Sequence, residues 1–198
     1  MKRAVYKPLK LIPVSREECF VPKQLNLPSV SVDSPALHVM TDLNKIPAAT
    51  IFASATLSEA NQAMIHRGVR LLFVTDTAQH LLGVITATDL LGEKPMQVSQ
   101  KRDVRREELL VDHLMTPVEN MEAVSMMEVS HAEVGHIVST LKETGRQHAI
   151  VIEQDAAGQQ MLRGIFSSSQ LARQLGIQIS TVEVAQTFAE IEAAIARA

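Results

Sequence analysis

The sequence has few of the residues that covalent, metal or aromatic chemistry requires. Its 198 residues include one cysteine, one tyrosine and no tryptophan. The single Cys19 excludes an intramolecular disulfide, and no cysteine and histidine pattern has the spacing of a zinc site. A protein without disulfides is typical of a reducing compartment, so we expect a cytoplasmic location.

Long apolar runs and an excess of one charge are also missing. No stretch of about 18 apolar residues occurs, so we expect no membrane insertion. The formal net charge of -3 gives no general attraction to nucleic acid or to anionic membranes. Basic residues do cluster between 98 and 111, but Glu107 and Glu108 follow them at once. This arrangement predicts a solvated helical linker with local charge pairs and no nucleic acid site.

The residues of an active site are missing too. The 7 histidines are scattered, and no nucleophile has a base at a recognisable spacing. There is no metal-binding cluster and no glycine-rich phosphate loop. We therefore expect no catalytic residues, no metal and no required cofactor, which means that the protein is not an enzyme.

The two ends of the chain differ from the middle. Prolines cluster in the first 35 residues, and because each fixes φ and removes a backbone donor, residues 1–33 are predicted to form an extended arm. Its apolar side chains predict packing on the folded body or on a partner chain. Residues 179–198 are predicted to form an amphipathic helix that packs on the module or on a second subunit. Its apolar face contains Val184, Phe188, Ile191 and Ile195.

One pattern occurs twice between these ends. Each copy begins with Met-Thr, at Met40 and Met115, and continues with a short β-like stretch and an amphipathic helix. Two apolar runs follow, and the second run turns into a Leu-rich helix. This order predicts an α/β (α+β) fold of two pseudo-symmetric β-α-β-β-α repeats. Because each repeat is too small to bury a core alone, we expect the two to pack through their sheets.

The first long helix of each copy has predicted ends. Capping boxes of the type Ser/Thr-x-x-Glu predict that the helices begin after Thr56 and after Ser130. Gly68 and Gly145 predict left-handed C-terminal caps. The offset between the copies grows by six residues from Met40 and Met115 to the closing motifs. We attribute this growth to a longer helix and a longer hairpin loop in the second copy.

The opening and closing motifs of the copies resemble the CBS domain, named for cystathionine β-synthase. The closing motifs are Gly83-Val-Ile-Thr-Ala-Thr-Asp89 and Gly164-Ile-Phe-Ser-Ser-Ser-Gln170. The resemblance covers roughly residues 34–176 and predicts one domain at 34–97 and a linker helix with a second domain at 98–178. It implies a paired (Bateman) module that forms homodimers and binds AMP, ADP, ATP or another adenosyl compound in the cleft between its domains.

The closing motif of the first copy contains groups suited to such a ligand. The Thr86 hydroxyl and nearby backbone N–H groups suit phosphate oxygens, and the Asp89 carboxylate can accept hydrogen bonds from both ribose hydroxyls. Thr88 belongs to the same motif. The resemblance adds Thr50 beside the base or sugar, and Arg70 is expected to approach the phosphate. Each has an alternative: a helix cap for the motif residues, an ordinary strand residue for Thr50, and a solvated charge for Arg70.

The second copy departs from the family pattern. Gln170 stands where the family usually has aspartate, and its neutral amide offers one acceptor oxygen. Ser167 and its two neighbours still supply hydroxyls. We therefore expect a weak or empty second site. Without tryptophan, adenine would lie between aliphatic side chains, or against Phe52 or Phe73, which are otherwise predicted to be core residues.

Two functions follow from these observations. The first is a stand-alone regulatory sensor that binds an adenine nucleotide and signals to a separate, unidentified partner protein. The alternative is a CBS interaction or dimerisation module that has lost its ligand.

Overall fold

The structure is a computed structural model, and it describes residues 9–14 and 30–176. The C-terminal helix predicted at 179–198 lies outside the described residues. Residues 9–14 have no helix or strand, and the apolar side chains of Leu9, Leu11, Ile12 and Val14 are at least 77% exposed. This part of the arm therefore does not pack on the described body.

The described chain forms two mixed α/β units joined by a helical linker. The strands are β1 (Thr41–Asp42), β2 (Thr50–Phe52), β3 (Leu71–Thr75), β4 (Leu81–Thr86), β5 (Thr116–Pro117), β6 (Ala123–Ser125), β7 (His148–Gln154) and β8 (Gln160–Ser167). The helices are α1 (Leu57–Arg67), α2 (Ala87–Leu91), α3 (Lys94–Arg102), α4 (Val111–Leu114), α5 (Met126–His131), α6 (Val134–Thr144) and α7 (Ser168–Leu175). Short 3-10 turns cover Ala36–His38, Arg106–Glu108 and Val118–Asn120.

The two sheets exchange their opening strands. The first sheet has the order β2-β3-β4-β5 and the second has the order β1-β8-β7-β6. Strand β1 opens the first repeat in sequence, yet its Thr41 pairs with Ile165 of β8. In the same way, Thr116 of β5 pairs with Val84 of β4. This confirms the predicted pseudo-symmetric fold and explains why neither repeat is complete without the other.

Glycine allows each exchanged strand to lie close to its neighbour in the sheet. A Cβ on Gly83 would collide with the backbone oxygen of Thr116 in β5. A Cβ on Gly164 would lie 2.6 Å from the sulfur of Met40. Each closing motif therefore begins with glycine because the backbone of β5, or the Met40 side chain just before β1, lies close at that point.

Apolar side chains form three clusters that follow from this exchange. Behind the first sheet, Leu109, Val111 and Leu114 pack with the strands and α1, although they follow the linker in sequence. Behind the second sheet, Ala36 and Val39 pack with α6 and α7. The third cluster lies where the two sheets face each other, which confirms the predicted packing through the sheets. Its buried members are Leu71, Phe73, Val84 and Ile150.

Helix α1 has the predicted ends. Thr56 Oγ1 accepts from Glu59 N at 3.2 Å, and Glu59 Oε2 accepts from Thr56 N at 2.8 Å. Gly68 ends the helix with a φ of 63°, and Gly145 ends α6 with a φ of 66°. Both glycines therefore adopt the predicted left-handed caps.

The start predicted for the second helix is wrong. Ser130 lies in the separate short helix α5, where its hydroxyl donates to Met127 O at 2.6 Å. Helix α6 begins at Val134, after Glu133. Its first N–H groups donate to the chain just before β1: Val134 N to Ser34 O and Gly135 N to Val32 O, each at 2.8 Å. Residues 32–34, at the end of the arm, thus supply backbone acceptors for the start of this helix.

The growth in offset between the repeats also has a different origin. Helices α1 and α6 both have 11 residues. The hairpin loops after β3 and β7 are equally long, at 76–80 and 155–159. The extra residues lie in α5 and in the longer strands β7 and β8. The linker agrees with the predicted charge pairing, since Arg105 Nη2 lies 2.7 Å from Glu108 Oε1.

Candidate functional site

Two clefts open between the facing units. The Asp89 cleft has a volume of about 410 Å³ and the Gln170 cleft about 550 Å³. Both volumes are in the range of small-molecule sites. The Asp89 cleft is lined by Leu71, Val84, Thr86, Thr88, Asp89, Thr116, Asn120, Met121, Glu122, Thr144, Gly145, Arg146, Gln147, His148 and Ile150. The Gln170 cleft is lined by Thr41, Leu43, Ile46, Pro47, Ala49, Gly68, Val69, Arg70, Leu71, Phe73, His148, Ile165, Ser167, Ser169, Gln170 and Arg173.

The Asp89 carboxylate sits where β4 ends and α2 begins. Its Oδ2 accepts from Thr86 N at 2.9 Å and from Thr86 Oγ1 at 2.7 Å. In return, Asp89 N donates to Thr86 Oγ1 at 3.2 Å. Thr86 and Asp89 therefore form a helix cap, and they also line the cleft together with Thr88. The cap fixes the carboxylate at the wall of the cleft.

A lysine from the linker also contacts this carboxylate. Lys94, the first residue of α3, places its Nζ 2.7 Å from Asp89 Oδ1. The side chain of Asp89 is 16% exposed and that of Lys94 is 38% exposed. The sequence analysis did not identify Lys94. Gly92 and Pro95 mark the turn from α2 into α3, but no sequence pattern shows that this turn places the lysine against the cap.

Arg146 brings a cation to the Asp89 cleft from the second unit. Its Nη2 lies 2.8 Å from Glu122 Oε2, and the two side chains are 42% and 77% exposed. Such an exposed ion pair contributes little stability. The sequence analysis missed Arg146 as well. The signal was its position just before the second strand of the second copy, close to the position that Arg70 has in the first.

His148 and Leu71 line both clefts. They are equivalent in the two repeats, since Leu71 pairs with Thr86 and His148 pairs with Ser167. Burial, together with the positive charge of Arg70, lowers the pKa of His148 from 6.5 to about 4. The imidazole between the clefts is therefore neutral at pH 7.

Arg70 lies in the Gln170 cleft, apart from Thr86 and Asp89. The two units face each other through a pseudo-twofold relation. Arg70, which lies just before the second strand of the first repeat, therefore meets the closing motif of the second repeat. Arg70 thus joins Ser167 and Gln170, with Arg173 nearby. No carboxylate is among the described lining residues of this cleft, which makes it the more positive of the two.

The Gln170 side chain already has a hydrogen bond. Thr41 Oγ1 donates to Gln170 Oε1 at 3.3 Å. The hydroxyls of Ser167 and Ser169 lie 2.9 Å apart and bond to each other. The second closing motif therefore presents neutral groups that already have partners within the protein.

Thr50 and the two phenylalanines stand apart from the Asp89 cleft. Thr50 pairs with Phe73 in the first sheet and is not among the described lining residues of either cleft. Phe73 is buried, as predicted, and contributes to the wall of the Gln170 cleft. The core location predicted for Phe52 is wrong, because its side chain is 51% exposed at the end of β2.

The fold and its paired clefts define a two-domain module with ligand-sized cavities at the domain interface. Residues 25–95 match the model of the CBS domain family. Residues 25–95 are therefore similar to a CBS domain, and the fold of two repeats is the one expected for a CBS domain pair.

Solved structures share this fold. An uncharacterized conserved protein from Pyrococcus horikoshii is 18% identical, with 73% of this chain and 93% of that chain covered and a TM-score of 0.52. A CBS-domain containing protein from Agrobacterium tumefaciens is 15% identical, with 76% and 98% covered and a TM-score of 0.50. The CBS-pair protein CBSX2 from Arabidopsis thaliana, in complex with AMP, is 22% identical, with 71% and 94% covered and a TM-score of 0.49.

Curated relatives, metal-binding clusters and membrane-spanning helices were also sought. No curated protein matches the sequence. Within residues 9–14 and 30–176, no group of three or more histidine, cysteine, aspartate or glutamate side chains is placed to hold a metal ion. In the same part of the chain, no helix has both the length and the apolar character of a membrane span.

Proposed function

We propose that this CBS pair is a regulatory sensor that binds an adenine nucleotide in the Asp89 cleft and signals to a separate protein. One observation carries the proposal. A fixed carboxylate from one unit and a guanidinium from the other meet across a cavity of about 410 Å³. No catalytic group, cofactor or metal takes part in this function.

The walls of the Asp89 cleft match the three parts of a nucleotide. Leu71, Val84, Met121 and Ile150 supply an aliphatic surface for a base. Asp89 offers a charged acceptor for ribose hydroxyls, and charge-assisted hydrogen bonds are stronger than neutral ones. This arrangement supports an adenosyl ligand, which is also what the family resemblance implies.

Arg146 is the proposed phosphate ligand of this cleft, in the place expected for Arg70. Its present partner Glu122 is 77% exposed, so the ion pair is easily exchanged. Guanidinium binds phosphate through two parallel hydrogen bonds. The Thr88 hydroxyl lines the same cleft and completes the proposed set of ligand groups, while the Thr86 hydroxyl donates to Asp89 and fixes its carboxylate.

The Gln170 cleft is proposed to bind nucleotide weakly or not at all. Arg70 gives it a cation for a phosphate, but Gln170 has one acceptor oxygen, and Thr41 already donates to it. Ser167 bonds to Ser169. A ribose would have to break these contacts without gaining a charged acceptor.

Titration calorimetry with AMP and adenosine tests the phosphate contact. We expect AMP to bind about tenfold to a hundredfold more tightly than adenosine, the range of one charge-assisted contact. Arg146→Met should remove most of this difference, whereas Arg102→Met, on the exposed linker helix, should leave it unchanged. Equal affinities of the unchanged protein for AMP and adenosine would contradict the assignment. ADP, ATP, S-adenosylmethionine and cyclic dinucleotides extend the panel.

One observation favours the alternative function, a ligand-free interaction module. The Asp89 carboxylate already accepts hydrogen bonds from Thr86 and Lys94. A module of this kind would show no change in melting temperature with any nucleotide of the panel. A shift with one of them, lost in the Asp89→Ala variant, would exclude it.

A further inference from the structure

We propose that Lys94 sets the selectivity of the Asp89 cleft for vicinal hydroxyls by competing with them for the carboxylate. The inference rests on the proposed function of this cleft. It assigns a specificity-determining role to a residue of the linker helix, outside the closing motif and outside the described lining of the cleft.

The acceptor sites of Asp89 decide the competition. An ionised carboxylate has about four lone-pair sites, two on each oxygen. Both sites of Oδ2 are filled, by the backbone N–H and the hydroxyl of Thr86. One site of Oδ1 is filled by Lys94. A single site remains, whereas a ribose needs two.

Lys94 is the partner that a ligand can displace. The two Thr86 contacts belong to the cap of α2 and are held by the local backbone. The Lys94 ammonium is 38% exposed, sits on a flexible four-carbon side chain and gains hydration when it leaves. Full binding of a vicinal diol therefore removes Lys94 from Asp89 Oδ1.

The displacement has a structural consequence. Lys94 is the first residue of α3, and α3 contacts both α2 and α4. Helix α4 packs in the core behind the first sheet through Val111 and Leu114. The bond between Lys94 and Asp89 thus joins the ligand cleft to the segment that connects the two domains.

The test compares AMP with 2′-deoxy-AMP, which lacks one hydroxyl of the diol. In the unchanged protein we expect the two ligands to differ by less than about threefold, because the loss of the Lys94 contact offsets the hydrogen bond that the second hydroxyl gains. In Lys94→Met the AMP affinity should rise about tenfold relative to 2′-deoxy-AMP, the effect of one recovered hydrogen bond to a charged group. Any effect of the lost positive charge on the phosphate is common to both ligands and cancels in the ratio.

Lys101→Met is the matched control, because it removes the same charge from the other end of α3. It should leave the ratio of the two affinities unchanged. If Lys94→Met binds AMP but keeps the same ratio, or lowers it, the inference is wrong and the proposed function stands. If neither the unchanged protein nor Lys94→Met binds AMP, the proposed function fails and the inference fails with it.

Discussion

His148 places a titratable side chain at a position where the first repeat has an aliphatic one. It occupies the position that Leu71 has in the first repeat, and both side chains line both clefts. The nearby charge of Arg70 and the burial of the ring both favour the neutral imidazole. A titratable group thus lies at the contact between the two sheets, where the first repeat has an aliphatic side chain.

This environment predicts a pH dependence of stability. Because the folded pKa of His148 is about 4 and the unfolded value is 6.5, the unfolded state binds more protons between these pH values. Stability should therefore fall as the pH decreases from about 6.5 towards 4. Relative to a variant without this histidine, the loss at pH 5 should be about 2 kcal/mol.

Urea unfolding of the His148→Leu variant at pH 7 and pH 5 checks this expectation. The substitution copies the Leu71 of the first repeat and should flatten the pH dependence. His66→Gln, which removes an exposed histidine of α1, should not. A pH profile of His148→Leu identical to that of the unchanged protein would show that His148 titrates normally.

At the scale of elements, sequence patterns predicted the local structure well and the pairing of short strands poorly. Thr56, Glu59 and Gly68 mark the ends of α1 because capping depends on neighbours along the chain. Strand β1 has two residues and joins a sheet whose other strands lie after the linker. Periodicity carries no information about that partner, so the exchange of opening strands could not be predicted.

In the candidate site too, the residues of a local motif were predicted from the sequence, and the residues brought there by tertiary structure were not. Thr86 and Asp89 were found because they form a local motif. Arg146 and Lys94 were missed because their positions depend on tertiary structure. Arg146 reaches the cleft across the domain interface, and Lys94 contacts Asp89 only through the geometry of the turn between α2 and α3. Arg70 was placed beside the wrong closing motif, since only the facing of the two sheets decides which motif it meets.

The close contacts at Gly83 and Gly164 predict unequal effects of two glycine substitutions. In Gly83→Ala the new methyl meets the Thr116 carbonyl, which belongs to the paired backbone of β5 and cannot move independently. In Gly164→Ala it meets the Met40 side chain, which can rotate. We expect Gly83→Ala to lower the free energy of unfolding by about 3 kcal/mol and Gly164→Ala by about 1 kcal/mol.

Urea denaturation of both variants measures these losses, and circular dichroism shows whether the fold is kept. The reverse order, with Gly164→Ala the less stable protein, would mean that β5 adjusts more easily than Met40.

At the scale of the whole molecule, we propose a homodimer. The apolar side chains of residues 9–14 are exposed on the described chain, and a second subunit would cover such a surface. Multi-angle light scattering should give twice the mass of one chain at micromolar concentration. A single-chain mass that persists at millimolar concentration would reject the proposal.

A dimeric sensor also needs two states that the ligand distinguishes. A ligand shifts a conformational equilibrium only as far as its affinities for the two states differ. We propose that occupation of the Asp89 cleft changes the angle between the two units and that the partner protein responds to this change.

The central claim is that the two clefts are unequal and that Asp89 holds the ligand. Titration calorimetry of Asp89→Ala, Gln170→Ala and Gln170→Asp against AMP tests it most directly. Asp89→Ala should weaken binding at least about tenfold to a hundredfold, while the lost cap costs only about 1 kcal/mol of stability and leaves the fold intact. Gln170→Ala should bind as the unchanged protein does, and Gln170→Asp should gain a second site. Normal binding by Asp89→Ala together with lost binding by Gln170→Ala would contradict the account and assign the ligand to the other cleft.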